Sequence, residues 1–271
     1  MNAALSQGDH QRWRAELSLG FERREARTVL ARRQHVGPLL VQRPFYPEGD
    51  ACHVYLVHPP GGIVGGDELT FTATLEAASH AVITTPAATK FYRSAVGRSA
   101  TLLQEMHIAG ATLEWLPQET ILFRDACASM GTIVKLDGAS RFIGWELTCY
   151  GRPASDELFD RGRTAQRFEI WIDDTPTLLD HLHIDGSART MQTPWGLAGN
   201  MAIGTLLAFP AAESDVDAVR ELGVDATLVD RVLVCRSIGG ERIKQRFVNV
   251  WQALRPRIVG REAVLPRIWA T

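Results

Sequence analysis

Residues 69–76 read Leu69-Thr70-Phe71-Thr72-Ala73-Thr74-Leu75-Glu76, an alternation of apolar and polar side chains with a period of two. Successive side chains of an extended chain point to opposite faces, so this stretch predicts a β-strand with one dry face. Clusters of Gly, Pro and Asp separate similar segments, which predicts a mainly β fold of stacked, largely antiparallel sheets, sandwich-like or β-helical. These other alternating segments are 13–22, 102–108, 132–136, 142–146 and 168–172.

Helical periodicity occurs only in the last third of the chain and predicts two helices. Ser214 is a candidate N-cap for a short helix over 215–222, with Gly223 as its stop. A longer helix precedes Pro256, because apolar side chains recur there at helical spacing. Between the two helices, 227–234 is rich in apolar and β-branched residues and predicts a strand. The apolar positions of the longer helix are Ile243, Phe247, Val250, Trp251 and Leu254.

Bulk composition narrows the class of protein. With 271 residues, of which 45% are apolar and 22% charged, the chain has ample material for one core, and we expect a single domain over 1–271. A net charge of -2 and the lack of a Lys- and Arg-rich run argue against binding to nucleic acid. No apolar stretch is long enough for a membrane span or a signal peptide, so a cytoplasmic location is expected. Four scattered cysteines without Cys-x-x-Cys spacing predict free thiols.

The run just before the strand-like segment 69–76 is rich in glycine and proline. It reads His58-Pro59-Pro60-Gly61-Gly62-Ile63-Val64-Gly65-Gly66-Asp67, and such a composition excludes a regular helix or a central strand. A phosphate-binding P-loop needs Lys and then Ser or Thr after its second glycine, whereas Asp67 and Glu68 follow Gly66 here. The run therefore predicts no nucleotide site, and a bulged turn between two strands is the simplest alternative.

A second run follows after 16 intervening residues and reads Thr84-Thr85-Pro86-Ala87-Ala88-Thr89-Lys90-Phe91-Tyr92-Arg93-Ser94. Together the two runs resemble the UreD family of urease accessory proteins, called UreH in some systems. Ala87 is a departure, because the family usually has glycine there. The resemblance extends in the expected order from about His35 to Trp269, through 42–47, 113–119, 145–146, 151–153, 254–256 and 266–269.

This resemblance implies a non-catalytic maturation factor. A member of the family is expected to bind apo-urease together with UreF and the GTPase UreG and to help deliver nickel to the urease active site. Nickel would be in transit, with no tightly bound cofactor. GTP hydrolysis would belong to UreG, in agreement with the missing P-loop.

Residues within the matching motifs have two interpretations each. His58, Lys90, Tyr92 and Arg93 either shape a passage or partner surface, or fix loop geometry through hydrogen bonds. The glycines Gly61, Gly62, Gly65 and Gly66 belong with them as motif residues. The C-terminal arginines either dock an acidic partner or solvate the end of the chain. These arginines are Arg255, Arg257, Arg261 and Arg267.

Several acids occur beside bulky aromatic residues within strand-like segments. Glu114 precedes Trp115, and Glu146 follows Trp145. Neighbouring residues of a strand face opposite sides, so such pairs need two interiors, or one interior and a wet cavity. Each carboxylate is either paired with an arginine or backbone amides, or available to a cation.

A protein that transfers nickel needs weak, successive oxygen or nitrogen ligands, because each must release the ion that it captures. Scattered carboxylates suit this purpose better than one compact cluster. His181-Leu182-His183 adds two imidazoles on one strand face, which either share a metal or are exposed polar residues. The candidates for a transient nickel path are Asp67, Glu114, Glu146, Asp180, His181 and His183.

Two other functions compete with this hypothesis. A β-sandwich hydrolase or lyase would use Glu114 or Glu119 with His58 around the glycine-rich loop, and these groups would then converge in one closed pocket. A metal-storage protein would need dense His or Cys tracts, which the sequence lacks.

Overall fold

The computed structural model describes residues 13–94, 97–240 and 242–270. Within these residues there are three α-helices: α1 (Ala188–Gln192), α2 (Glu213–Glu221) and α3 (Ile243–Ile258). Short 3-10 turns lie at Pro153–Ser155 and Arg267–Ala270. The strands, in chain order, are β1 (Arg14–Arg24), β2 (Arg27–Val36), β3 (Leu40–Val41), β4 (Cys52–Val57), β5 (Glu68–Leu75), β6 (His80–Thr84), β7 (Thr89–Phe91), β8 (Ala100–Ile108), β9 (Thr112–Leu116), β10 (Thr120–Leu122), β11 (Cys127–Leu136), β12 (Arg141–Arg152), β13 (Glu157–Leu158), β14 (Arg163–Ile172), β15 (Thr175–Asp185), β16 (Ala202–Phe209), β17 (Asp225–Val229) and β18 (Val232–Gly239).

The strands form two stacked sheets. One has seven strands in the order β15-β14-β11-β8-β5-β1-β2. The main path of the other is β17-β18-β16-β12-β9-β6-β4-β3, with β7, β10 and β13 attached beside it. From β4 to β14 the chain passes repeatedly from one sheet to the other. The mainly β fold of stacked sheets is therefore confirmed, in its β-helical form.

The central strands run parallel, which corrects the expectation of largely antiparallel sheets. β5 pairs with β8, β8 with β11, and β11 with β14, all in parallel. Because consecutive long strands belong to opposite sheets, lateral neighbours are two crossings apart and point the same way. Antiparallel pairs remain towards the ends of the sheets, as in β1 with β2 and β14 with β15.

Two hydrophobic cores result from this layering. The first lies between the sheets and takes the dry face of each alternating strand, including Phe71 of β5 and Trp115 of β9. The second lies between the larger sheet and helices α2 and α3, and contains Trp145 and Trp251. Glu114 and Glu146 thus have separate interiors available on opposite faces of one sheet, as their aromatic neighbours required.

The helices differ in detail from the prediction. α2 begins at Glu213, before Ser214, and its first turn is closed by the Asp215 carboxylate, which accepts a hydrogen bond from the Ala212 amide at 2.9 Å. α3 continues through Pro256, because a proline in the last turn removes only one donor while the helix still buries its apolar face. The short helix α1 was not predicted.

The predicted strand over 227–234 is a hairpin instead. Asp230, at a φ of 54°, turns the chain between β17 and β18. All four cysteines are free thiols, as expected, and Cys149 alone among them is not fully buried. Within the described residues, no helix has the length and apolar character to cross a membrane.

Candidate functional site

The two motif runs pair with each other. The Ile63 amide donates to the Lys90 carbonyl at 2.7 Å, and the Tyr92 amide donates to the Ile63 carbonyl at 2.9 Å. Gly62 lies against the Tyr92 ring, where a Cβ atom would come within 2.1 Å of a ring carbon. Glycine is required at this position because the ring takes the place of a side chain.

Asp67 closes the turn of the glycine-rich run. Its carboxylate accepts from the Val64 amide at 2.9 Å, and its own amide donates to the Val64 carbonyl at 3.0 Å. Gly61 and Gly66 have φ values of 78° and 101°, which favour glycine. Gly65 has no room for a Cβ atom beside Ser94. The Asp67 carboxylate therefore serves the local turn.

Both runs line one cavity of about 180 Å³. His58 and Lys90 are its charged or titratable lining residues, and Gln104 is on its wall. Burial lowers the pKa of His58 below its ordinary value, although the negative charge of Asp67 opposes the shift. Ala87 also lines the cavity and is not in the left-handed region, so alanine causes no backbone strain there.

A row of side chains crosses the seven-stranded sheet on the face that meets the first core. Strand register places Thr132 of β11 beside Gln104 of β8 on one side and Phe168 of β14 on the other. Phe168 in turn lies beside Asp180 of the edge strand β15. Three polar side chains therefore occupy one level of a mainly apolar face, on which Thr164 and Gln166 of β14 are also buried and polar.

The facing sheet has a matching row. Thr205 of β16 lies between Glu146 of β12 and Arg236 of β18. Residues two positions away on β16 and β18, such as Leu207 and Val234, contribute to the core between the sheets. The two rows together form a polar layer, defined as Gln104, Thr132, Asp180, Glu146, Thr205 and Arg236.

Hydrogen bonds connect the two rows of the polar layer. Gln104 Nε2 donates to Thr132 Oγ1 at 2.8 Å, and Thr132 Oγ1 donates to Glu146 Oε1. At the far edge, Arg236 forms an ion pair with Asp180 and so joins the two sheets. A small cavity of about 20 Å³ is lined by Glu146 and Asp180. It shares no lining residue with the larger cavity, and the buried Thr132 hydroxyl lies between them.

Glu146 has unusual electrostatics. No lysine or arginine in the described parts of the chain forms an ion pair with it. Burial raises the pKa of Glu146 to about 7, with a further contribution from the charge of Asp180, while the hydrogen bond from Thr132 opposes the shift. The carboxyl keeps slight solvent access because it borders the small cavity. At neutral pH both the protonated acid and the anionic carboxylate are therefore present, and the anion can act as a ligand.

Glu114 lies on the other face of the larger sheet, beneath α3. Arg255 donates to both of its carboxylate oxygens at 2.9 Å, and the ring nitrogens of His80 and Trp251 also contact them at 2.9 Å. Glu114 and Arg255 are both 0% exposed. The arginine-paired interpretation describes Glu114, which is not part of the polar layer.

The motif arginines differ in burial, and so in the roles that the structure allows them. Arg255 neither docks a partner nor solvates the chain end, because it is buried between Glu114 and Glu48. This corrects the expectation for that residue. Arg93 and Arg267 are both exposed, and a partner role for each stays a prediction.

The two histidines of β15 are exposed and point away from the core. His181 Nε2 contacts Glu169 Oε1 at 2.8 Å, and Asp180 faces the opposite side of the strand. Across 13–94, 97–240 and 242–270, no group of three or more His, Cys, Asp or Glu side chains could hold a metal ion. His183 belongs to the same exposed face. The pair therefore matches the interpretation as polar strand residues.

The groups of the hydrolase alternative do not converge. His58 lines the larger cavity, whereas Glu114 lies beneath α3 and Glu119 pairs with Lys244 at 3.6 Å. Neither acid lines the cavity that contains His58.

Comparison with known proteins places the chain in a family. The family model described as UreD urease accessory protein matches residues 14–270. The chain belongs to the UreD family. Relatives named urease accessory protein UreD include that of Citrobacter koseri, 49% identical over 96% of this chain and 92% of the relative. That of Klebsiella aerogenes is 46% identical over 96% and 97%, and that of Pseudomonas putida 43% identical over 98% of each. The chain thus has a role in urease maturation.

Sequence reasoning missed most of the polar layer of this UreD family member. It selected Glu146 and Asp180 but not Gln104, Thr132, Thr205 or Arg236. A signal existed, because Gln104 and Thr132 are polar residues in the apolar phase of alternating strands. Their convergence with Glu146 depends on how two sheets face each other, which the pattern of one strand cannot reveal.

Proposed function

We propose that this chain is a non-catalytic urease maturation factor that acts in the cytoplasm, binds apo-urease together with UreF and UreG, and helps deliver nickel to urease. The cation would pass along the polar layer between the two sheets. Membership of the UreD family supports the role in maturation. The partners and the cargo are carried over from the family resemblance.

The polar layer is the observation that carries the proposal for transport. Placing polar side chains in the core between sheets costs stability compared with apolar residues, unless hydrogen bonds compensate. Their presence at one level of six strands favours a polar cargo. Hydroxyl, amide and carboxylate oxygens are weak ligands for a divalent ion when they act one or two at a time. Glu146 and Asp180 supply the negative charge at the end away from the larger cavity.

Movement from the larger to the smaller cavity requires side-chain rotation. The Gln104–Thr132 hydrogen bond must open, and a bond of this kind contributes about 1 kcal/mol. This net cost is small compared with the stability of a folded domain, so opening the bond is compatible with movement along the layer.

Two isosteric substitutions test the proposal. Glu146→Gln removes the charge, and Thr132→Val removes the hydroxyl that joins the two rows. Each variant is coexpressed with the urease gene cluster, and the nickel content of purified urease is measured. We expect nickel per urease to fall by about threefold or more in both variants, because a weak oxygen ligand is lost in each.

Glu105→Gln is the matched control, because Glu105 lies on the outer face of β8 and pairs with Lys135. It should leave urease nickel unchanged. Pull-down of UreF and urease with each variant checks that the complex still forms. Normal nickel content in both Glu146→Gln and Thr132→Val, with intact complexes, would overturn the route through the layer. Deletion of the whole gene tests the wider proposal, which normal nickel loading would contradict.

A further inference from the structure

Arg236 is the only cation of the polar layer. It shares a face of β18 with Val232 and Val234, which pack in the core between the sheets. Its guanidinium reaches across to Asp180 of the opposite sheet. An arginine is charged at every accessible pH, so it neutralises one carboxylate of the layer permanently while it stays in place.

The position of Arg236 is not locked. The side chain is 38% exposed, so solvent is available for the guanidinium to move into. Its Nε atom is buried and has no hydrogen-bond partner among the described residues. The ion pair with Asp180 is therefore its main restraint, and that restraint weakens when another cation approaches the same carboxylate.

Glu146 and Asp180 both line the small cavity, whereas Arg236 does not. Arg167 also lines it, but its side chain lies on the outer face of β14 against Gly131 and pairs with Glu169 at 3.8 Å. Without Arg236, two carboxylates would face one cavity of ion-compatible size and attract a divalent cation. With Arg236 in place, Asp180 is compensated and only Glu146 is free. The arginine thus competes with any cation that enters from the side of Thr132.

We propose that Arg236 competes with the cation for the Asp180 carboxylate. This competition keeps cation binding by Glu146 and Asp180 weak, and the return of Arg236 to Asp180 releases the ion. This inference rests on the proposed function, since it assigns to one residue the release step of the same passage. Release of the ion, rather than its entry, would fail without the arginine.

Nickel binding by the purified full-length chain provides the direct test. Equilibrium dialysis with Ni²⁺ should show at least about tenfold tighter binding by Arg236→Gln than by the unmodified chain, because a unit charge near the site is removed. Arg236→Lys keeps the charge and should bind as weakly as the unmodified chain. The double variant Arg236→Gln with Asp180→Asn should lose the gain. Arg246→Gln is the matched control, because Arg246 donates to Ser237 outside the layer.

Thermal unfolding confirms that each variant is folded, and Arg236→Met replaces Arg236→Gln if the latter is not. In cells with limiting nickel, the tighter variant should lower urease nickel content, because the ion is retained. Binding by the folded variant within about twofold of the unmodified chain would overturn the inference. So would equal tightening in Arg236→Lys.

The two proposals fail in distinguishable ways. Normal urease nickel in both Glu146→Gln and Thr132→Val, with intact complexes, would overturn the passage itself. Reduced nickel in Glu146→Gln, together with unchanged dialysis for Arg236→Gln, removes only the role of Arg236.

Discussion

The Glu114 carboxylate and the Arg255 guanidinium form a two-point ion pair that exposes no surface and ties β9 to α3. Arg255 also pairs with Glu48 at 2.7 Å. Burial alone would raise both carboxyl pKa values. Hydrogen bonds from His80 and Arg255 nevertheless lower the pKa of Glu114, and those from His53 and Arg255 lower that of Glu48 to about 2. Both acids are therefore ionised at neutral pH and depend on one arginine.

Loss of that arginine should destabilise the fold strongly. Arg255→Gln leaves two buried carboxylates without their shared cation, and we expect a loss of about 3–5 kcal/mol in the free energy of unfolding. Urea denaturation of the full-length chain measures it. Arg24→Gln, in an exposed pair with Glu22, should change stability by less than about 0.5 kcal/mol. A loss below about 1 kcal/mol for Arg255→Gln would contradict the buried pair.

Glu146 should make stability fall as pH rises. Its folded pKa of about 7 lies above the ordinary 4.5, so between these values the folded state holds a proton that the unfolded state has lost. The folded state is therefore penalised progressively, and fully above about pH 7. Glu146→Gln removes this penalty, and we expect it to be about 1–3 kcal/mol more stable near pH 8 and unchanged near about pH 4.

The measurement is urea unfolding at a series of pH values. Glu105→Gln supplies a control of opposite sign. The hydrogen bond from Lys135 is the main cause that lowers the pKa of Glu105, so the ionised Glu105 carboxylate stabilises the folded state at neutral pH and this stabilisation is lost on acidification. A pH profile of Glu146→Gln parallel to that of the unmodified chain would refute the perturbed carboxyl.

Gly62 should tolerate no side chain while Tyr92 is present. Gly62→Ala places a Cβ atom against the ring, and we expect a loss of about 1–3 kcal/mol. Combining it with Tyr92→Ala should recover part of that loss, which a double-mutant cycle measures. Gly239→Ala, where nothing lies within 4 Å, is the control and should be close to neutral. Additive effects of the two substitutions would show that ring and glycine are not coupled.

Trp269 should anchor the C-terminal segment to the larger sheet. Its ring lies 5.4 Å from Trp145 and 5.9 Å from Trp251, and its indole nitrogen donates to Thr84 at 3.1 Å. We expect Trp269→Ala to cost about 2–4 kcal/mol and Trp269→Phe about 1 kcal/mol, because the latter loses mainly the hydrogen bond. Thermal unfolding compares the two. Equal losses would assign the effect to the hydrogen bond alone.

The faces of the strands could be predicted from the sequence. Alternation in 69–76 placed Phe71 in a core, and the neighbours Trp145 and Glu146 required two interiors, which the sheets and helices provide. These inferences succeeded because side-chain direction along a strand is a local property.

Pairing between strands could not be predicted in the same way. The short spacing of strands suggested hairpins, but consecutive strands enter opposite sheets and their neighbours run parallel. The partner of Glu114 was equally hidden, because Arg255 is 141 residues away in sequence. Both depend on contacts between distant segments, whose entropy cost is repaid only when the whole core forms.

The sequence by itself determined the β class, the special backbone of the glycine-rich run and the resemblance to one family, since each depends on residues that are close together in the sequence. Only the tertiary structure decided that Glu114 is neutralised by Arg255 whereas Glu146 is not. The physical reason is that the state of a buried carboxyl depends on the charges and solvent around it, and folding alone sets those surroundings.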